Sequence, residues 1–227
     1  MSTAPQHVID LKIDLPLREV LRGMGCKGGK APDHIAVATE RLLNEVRPLI
    51  HPRGVYRICE VAGMTDTELR LTGWPSFHGP IAGFLKPSRR VAVYVITIGN
   101  ITQELGQQRI EKGELFEGFA LHGIGAAAAD LAADAMAEYL RQHEAGPDED
   151  VTPPFSPGYC GLGLEEQKTL FSIVDGSVIG VKLWESCIME PAKSVSGLIG
   201  IGPASEIIER GVPCQWCELT NCSMRRE

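Results

Sequence analysis

Residues 156–161 read Ser-Pro-Gly-Tyr-Cys-Gly, which places turn-forming residues beside an aromatic ring and a thiol. Because glycine has no side chain to hold a ligand away, backbone groups near Gly158 and Gly161 can approach a bound molecule closely. Two interpretations are open here: a ligand-binding turn, or a surface turn that only connects two elements. In the first, the ligand-contacting residues are Pro157, Gly158, Tyr159 and Cys160.

Three carboxylates, Asp130, Asp134 and Glu138, recur every four residues within a long stretch of helical hydrophobic spacing, residues 116–143. This spacing puts them on one side of a helix, where like charges repel by roughly a few tenths of a kcal/mol per pair. The stripe is either a solvated shoulder or the lining of a cleft. In the cleft interpretation, Asp134 is the carboxylate nearest the ligand.

Three of the seven cysteines lie close together near the end of the sequence, as Cys214-x2-Cys217-x4-Cys222. A pair of thiolates two residues apart suits zinc or an iron–sulfur cluster, and a third thiolate then needs a fourth ligand. Solvent can supply that ligand, and the protein candidates are Cys26, Cys160 and Cys187. A disulfide or redox pair and incidental thiols are the alternatives.

Composition limits the classes of protein to consider. The 227 residues are 44% hydrophobic and 22% charged, which is ordinary for a folded protein. A net charge of -7 argues against nucleic-acid binding, which needs a basic face. Asp10, Lys12 and Asp14 interrupt the first apolar stretch, and no apolar run is long enough to span a membrane. We therefore expect a cytoplasmic protein without membrane or nucleic-acid partners.

Alternation and β-branched runs predict the strands that must position these groups. Residues 91–98 form the most apolar run and are expected to be a central strand. The predicted strands are residues 8–15, 55–61, 68–72, 91–98, 178–183 and 194–201.

Helical spacing predicts five helices, with an acidic linker at residues 146–150. The glycine-rich residues 23–30 are interpreted as a helix end and loop, because a dinucleotide-binding loop would follow a strand. The predicted helices are a short one from Pro16, one capped by Asp33 that ends near Pro48, and residues 116–143, 164–174 and 204–210.

Six short motifs occur in an order that resembles the activation, or reactivation, domain of cobalamin-dependent methionine synthase. More closely, the chain looks like the stand-alone bacterial proteins built on that domain, over roughly Ile9 to Gly202. The motifs are Val-Leu-Arg-Gly-Met-Gly from Val20, Thr-Ile-Gly from Thr97, Gly-Ile-Gly-Ala-Ala-Ala from Gly123, Phe-Ser-Pro-Gly-Tyr from Phe155, Lys-Leu-Trp-Glu-Ser from Lys182 and Ser-Val-Ser-Gly from Ser194.

The resemblance implies an α+β fold: a single domain with a central twisted, mainly antiparallel sheet flanked by helices. That domain is expected over residues 1–212, followed by a cysteine-rich tail, residues 213–227. In the family, a shallow cleft near the Ser-Pro-Gly-Tyr turn holds S-adenosylmethionine against the cobalamin of a neighbouring domain. There, cob(II)alamin receives one electron from a donor and is trapped by a methyl group from the sulfonium.

The resemblance also implies roles for individual residues. Asp134 takes the place of a family glutamate, near the sulfonium and the amino group of the ligand. Tyr159 is the candidate catalytic residue because its ring would shield the methyl group from water. The turn backbone would hold the adenosyl group, and Glu185 and Ser186 would line the cleft.

The largest departure from the family motif is at Pro154, where the family has an arginine for the ligand's carboxylate. A charge-assisted pair contributes roughly 1.5–3 kcal/mol, so its loss weakens binding about 10- to 150-fold unless another cation substitutes. Lys182 and Lys193 are the candidates.

Two functions therefore remain open. In the first, the protein docks onto and reactivates a corrinoid-binding methyltransferase, with S-adenosylmethionine as methyl donor. In the second, the S-adenosylmethionine site is lost, and the protein is a non-catalytic corrinoid-protein partner or an electron carrier with a cysteine-ligated metal. A different small-molecule methyltransferase on the same scaffold is a third alternative.

Overall fold

The computed structural model of the protein describes residues 4–210, without the side chains of residues 81, 82, 209 and 210. Within this range seven strands form one sheet, two short strands form a separate hairpin, and all the strand pairings are antiparallel. The strands are β1 (Gln6–Asp10), β2 (Arg53–Met64), β3 (Glu68–Leu71), β4 (Phe77–His78), β5 (Arg90–Thr97), β6 (Glu149–Val151), β7 (Lys182–Leu183), β8 (Met189–Glu190) and β9 (Ser194–Pro203).

The order of the large sheet is β4-β3-β2-β5-β9-β6, with β1 added beside β2. β5 is the central strand predicted from its valine-rich sequence, and it is almost wholly buried because both faces are covered. Alternation divides its side chains, so that Tyr94 packs on one face while Val93 and Val95 pack on the other. In the register with β9, Tyr94 stands opposite Gly197.

Helices cover one face of the sheet, and the longest of them forms the centre of that layer. Its core includes Leu43, Tyr94, Ile124 and Met136. The helices are α1 (Leu17–Gly23), α2 (Asp33–Val46), α3 (Ile81–Phe84), α4 (Ile101–Glu111), α5 (Leu115–His143), α6 (Glu166–Ile173) and α7 (Ala204–Arg210).

The Gly-Ile-Gly-Ala-Ala-Ala segment of α5 allows its neighbours to approach closely. A Cβ at Gly123 would lie 2.3 Å from Cγ of Met24, at the end of α1, and a Cβ at Gly23 would lie 2.8 Å from the carbonyl oxygen of Gly123. The two helices therefore pack backbone to backbone, which a larger residue at either position would prevent.

The opposite face of the sheet is covered by α6 and by a 3-10 turn, Gly176–Ile179. Phe77, Phe155, Leu170 and Val181 are buried in this second core. The central antiparallel sheet between helical layers confirms the predicted α+β fold class.

Two predicted elements were wrong. Part of the expected acidic linker is the edge strand β6, because the backbone of residues 149–151 pairs with β9 and Glu149 forms an ion pair with Arg90. The expected strand 178–183 begins with the last two residues of the 3-10 turn, since Asp175 accepts a hydrogen bond from the amide of Ser177 and Gly180 is left-handed, with φ 79°. Only Lys182–Leu183 are extended.

Other boundaries also differ from the sequence-based prediction. The first strand ends at Asp10 because its partner β2 begins only at Arg53. Asp33 is the first residue of α2 and makes no capping hydrogen bond, so the predicted cap was wrong. The helix α4 was missed because its sequence is largely polar and shows little amphipathic spacing.

Candidate functional site

The segment before the Ser-Pro-Gly-Tyr turn runs along the edge of β9. Phe155 exchanges two backbone hydrogen bonds with Leu198, of 2.8 and 2.9 Å. Its ring is buried and lies 5.3 Å from the ring of Phe84, measured between centroids. These contacts fix Phe155 at the outer edge of the sheet, with its carbonyl oxygen on the Tyr94 side of Gly197. The turn that follows packs instead with the second core, where Leu162 is buried and Cys160 lies against it.

The turn itself is closed by its own backbone. The amide of Tyr159 donates to the carbonyl of Ser156 at 3.1 Å, and the amide of Gly158 donates to the carbonyl of Leu162 at 2.7 Å. Gly158 and Cys160 have positive φ, of 88° and 49°. The amides of Gly158 and Tyr159 are therefore already hydrogen-bonded inside the turn. A ligand at this turn would contact other backbone groups and the exposed ring of Tyr159.

The hydroxyl of Tyr94, on the α5 face of the sheet, lies close to the carbonyl of Phe155. A Cβ at Gly197 would lie 2.6 Å from this hydroxyl and 2.4 Å from the carbonyl oxygen of Phe155. Burial raises the pKa of Tyr94 well above its ordinary range; Ser156 opposes this shift, and the charges of Asp134 and Asp130 add to it. Ser156 therefore lies beside the Tyr94 hydroxyl, and the two carboxylates influence its charge from α5.

The three acidic residues of the α5 stripe lie in two different environments. Glu138 is exposed and forms a surface ion pair with Arg141, which also donates to Asp150 at 2.7 Å. Asp130 and Asp134 are half-buried and act on Tyr94. The solvated-shoulder interpretation thus describes Glu138, and the cleft interpretation remains a prediction for Asp130 and Asp134.

Sequence reasoning missed Tyr94 as a residue of the site. The available signal was a tyrosine inside an otherwise aliphatic strand, since a buried hydroxyl ordinarily needs a polar neighbour. Its position opposite Gly197 depends on the register between β5 and β9, which the sequence does not specify.

A buried lysine immediately precedes β9. Lys193 is 8% exposed, and its Nζ is 3.3 Å from Nε2 of His122 on α5. Burial lowers the pKa of Lys193, and the charge of Asp130 opposes this. The pKa of His122 is lowered by desolvation and then by the charge of Lys193.

Glu185 and Ser186 lie in the exposed turn of the β7–β8 hairpin. Backbone bonds of 2.9 Å between Trp184 and Ile188 and between Cys187 and Trp184 close this turn. The hairpin borders one groove along α4 and another along α6.

The cysteines of the predicted metal site, Cys214, Cys217 and Cys222, lie outside the described residues. Cys26 and Cys160 are half-buried, while Cys59 and Cys187 are buried. Burial raises the pKa of Cys59 to about 11, which keeps it protonated. Among residues 4–210, no group of three histidine, cysteine or acidic side chains is arranged to hold a metal ion.

Comparison with solved structures finds the crystal structure of the MetH reactivation domain bound to AdoHcy. The match has a TM-score of 0.60 at 17% sequence identity, and covers 89% of this chain and 80% of that chain. The fold is that of the MetH reactivation domain. This confirms the resemblance inferred from the six motifs and the α+β architecture that it implied.

No protein-family model and no curated protein sequence matches this chain. The likeness to the MetH reactivation domain is therefore one of fold. Within residues 4–210, no helix is both long and apolar enough to cross a membrane.

Proposed function

We propose that this protein reactivates a corrinoid methyltransferase by presenting S-adenosylmethionine to a cobalamin held by a separate protein. The observation that carries the proposal is that the carbonyl of Phe155, just before the Ser-Pro-Gly-Tyr turn, and the hydroxyl of Tyr94 both lie against Gly197. The charges of Asp134 and Asp130 on α5 act on that hydroxyl. It is supported by the fold shared with a reactivation domain whose crystal structure holds AdoHcy.

The charges suit this ligand. S-adenosylmethionine carries a sulfonium and an ammonium group, and both are stabilised by nearby carboxylates. Asp134 and Asp130 are half-buried beside a buried tyrosine, where electrostatic attraction is stronger than in water. Asp134 is assigned to the sulfonium and amino end of the ligand, as the family resemblance implied.

The Ser-Pro-Gly-Tyr turn would hold the adenosyl group. Pro157 is buried and anchors the turn, while Gly158 and Tyr159 are exposed and Cys160 is half-buried. The ring of Tyr159 is 69% exposed, so it can close over the methyl group and exclude water once a partner docks. Glu185 and Ser186 remain proposed as supports that line the cleft.

The proposed methyl transfer requires one electron from an external donor. A donor reduces the partner's cob(II)alamin to cob(I)alamin, whose cobalt forms a bond to the methyl carbon as the carbon–sulfur bond breaks. Neutral S-adenosylhomocysteine is released. Binding the cationic donor beside carboxylates and holding the methyl group in place are the contributions of this chain.

We propose a second role for the tail that follows residues 1–212. Cys214, Cys217 and Cys222 would hold zinc or an iron–sulfur cluster, and a cluster would let the protein pass the required electron. If the proline at position 154 marks a lost S-adenosylmethionine site, docking or electron transfer is the whole function. That is the competing proposal.

Calorimetric titration of S-adenosylmethionine into anaerobically prepared protein tests the leading proposal. We expect binding by the unmodified chain, about tenfold or more weaker in Asp134→Asn, because a charge-assisted interaction is lost. Glu138→Gln, on the same helix but in a surface ion pair, is the matched control and should bind normally.

Methylcobalamin formation from free cob(II)alamin, a one-electron chemical reductant and S-adenosylmethionine gives a second readout. Binding and methylation by the unmodified protein, with loss in Asp134→Asn, support reactivation. Absence of both in the unmodified protein would contradict it and favour the docking or electron-transfer function.

A further inference from the structure

We propose that this protein forms a two-fold symmetric dimer through the β7–β8 hairpin, with the exposed ring of Trp184 at the centre of the interface. The ring separates two grooves of opposite charge, and a second copy of the chain would place each groove against one of the other kind. The inference concerns side chains that have no part in the proposed function, and it stands independently of S-adenosylmethionine binding.

Trp184 is a large apolar side chain that the fold leaves in solvent. It is 56% exposed, and Ile188, across the hairpin turn, is 60% exposed. Backbone hydrogen bonds of 2.9 Å, from the amide of Trp184 to the carbonyl of Ile188 and from the amide of Cys187 to the carbonyl of Trp184, hold this turn. An exposed tryptophan on a closed hairpin is typical of an interface centre, because its ring buries a large area at little entropic cost.

The groove on one side of Trp184 lies along α4 and is acidic. It has a volume of about 670 Å³, and exposed carboxylates of Glu104, Glu111 and Glu190 line it together with Ile188. Within the described part of the chain, no lysine or arginine lines this groove, and none of the three carboxylates forms an ion pair. The groove therefore carries negative charge that the fold does not balance.

The groove on the other side of Trp184 lies along α6 and is basic. It has a volume of about 600 Å³, and its charged lining residues among those that the structure describes are Lys168, Lys182 and Asp175. Both lysines are exposed, and neither forms an ion pair with a residue in the range 4–210. Because Lys182 stands opposite Glu190 in the β7–β8 register, the basic and acidic grooves adjoin at the hairpin.

Two adjoining grooves of opposite charge make this surface complementary to itself. A two-fold interface brings the same patch of both copies together, so a groove on one side of the axis meets the groove from the other side of the second copy. With the axis at the hairpin, the glutamates of one copy face the lysines of the other, and the reverse. The two Trp184 rings would then lie together at the centre, away from water.

Local charge decides whether two copies associate. The net charge of -7 makes them repel at long range. At roughly 0.15 M ionic strength this repulsion is screened beyond about 8 Å, whereas groups in contact still interact. A second copy fits the surface better than an unrelated protein does, because it carries the matching acidic and basic grooves side by side around the same tryptophan.

Sedimentation equilibrium over a range of protein concentrations measures the association. A reductant is included to prevent disulfide-linked dimers. We expect a reversible dimer, and Trp184→Ser should raise its dissociation constant at least about 30-fold, because truncating an aromatic at an interface centre removes much of the binding energy. Val37→Ser, which replaces an exposed apolar residue on α2, is the matched control and should leave the dissociation constant unchanged.

Exchange of charges tests the two-fold arrangement itself. Glu104→Lys combined with Glu111→Lys makes the α4 groove basic like its neighbour, and Lys168→Glu combined with Lys182→Glu makes the α6 groove acidic. Each double variant should be monomeric alone, because like charges meet, whereas an equimolar mixture of the two should form a heterodimer. All four side chains are exposed, so both double variants should keep their fold.

Three results would overturn the inference. The first is an unmodified protein that stays monomeric up to about 100 μM, a concentration at which even a weak specific interface associates. The second is a dimer that Trp184→Ser leaves intact, and the third is a pair of double variants that stays monomeric when mixed. None of these results bears on the proposed function, because calorimetry with S-adenosylmethionine tests that separately.

Discussion

Gly197 lies directly over the hydroxyl of Tyr94, at the point where β5 and β9 meet the Ser-Pro-Gly-Tyr segment. A Cβ at position 197 would come within 2.6 Å of that hydroxyl and 2.4 Å of the carbonyl oxygen of Phe155. Because Gly197, the last residue of the Ser-Val-Ser-Gly motif, has no side chain, the Tyr94 hydroxyl and the Phe155 carbonyl can lie close together in the candidate site.

Gly197→Ala should consequently disturb stability and ligand binding at once. Either Tyr94 or the Phe155 backbone must shift, and overpacking of this kind costs about 1–3 kcal/mol. Urea unfolding measures the stability and calorimetry the affinity for S-adenosylmethionine. Gly83→Ala is the matched control, since a Cβ there would meet its nearest atom, a carbonyl oxygen of Asp66, at 3.9 Å. Equal stability of the two variants would contradict this account of Gly197.

Tyr159→Ala should weaken ligand binding while leaving the stability of the protein nearly unchanged. The ring is 69% exposed, so the free energy of unfolding should change by no more than about 0.5 kcal/mol. Loss of an aromatic contact with the ligand should weaken binding about 2- to 10-fold, corresponding to about 0.5–1.5 kcal/mol. Tyr159→Phe keeps the ring and should bind nearly normally. Unchanged methylation of cobalamin by Tyr159→Ala would exclude a shielding role.

The sequence allowed the central strand, the long helix and the fold to be predicted, because hydrophobic periodicity and ordered motifs are local signals. It did not reveal how the site is assembled. Tyr94 enters through the register of β5 with β9. The buried contact of Lys193 with His122 joins residues 71 positions apart. Such pairings depend on tertiary packing, as does β6, whose charged residues resemble a linker.

The ion pair that anchors β6 should make stability depend on pH. The amide of Gly146 and then the guanidinium of Arg90 hold the pKa of Glu149 below its ordinary value of 4.5. A depressed pKa adds stability above the ordinary value, and this stability is lost as pH falls through the lower folded-state value.

Glu149→Gln should therefore lower stability near neutral pH and lose less of it on acidification than the unmodified protein does. Urea unfolding at a series of pH values from neutral to below 4.5 measures this. The matched control is Glu40→Gln, an exposed carboxylate on α2. Parallel stability curves for Glu149→Gln and the unmodified protein would show that the ion pair contributes nothing.

The cysteine tail leads to a prediction about metal content. Anaerobically prepared full-length protein should carry iron or zinc, and Cys217→Ser should lose it because thiolate ligands dominate such sites. Cys59→Ala is the control: burial raises the pKa of that thiol to about 11, so it is not a thiolate near neutral pH. Full-length protein without iron or zinc would refute the metal site.

Pro154→Arg tests the departure from the family motif. Pro154 is half-buried and precedes Phe155, whose carbonyl oxygen lies near Gly197. A guanidinium at this position should raise the affinity for S-adenosylmethionine about 10- to 150-fold, because it adds a charge-assisted pair to the ligand's carboxylate. Calorimetry measures the affinity of the variant beside that of the unmodified protein. Equal affinities would contradict this account, since they would mean that another cation already binds the carboxylate or that the side chain at position 154 does not reach it.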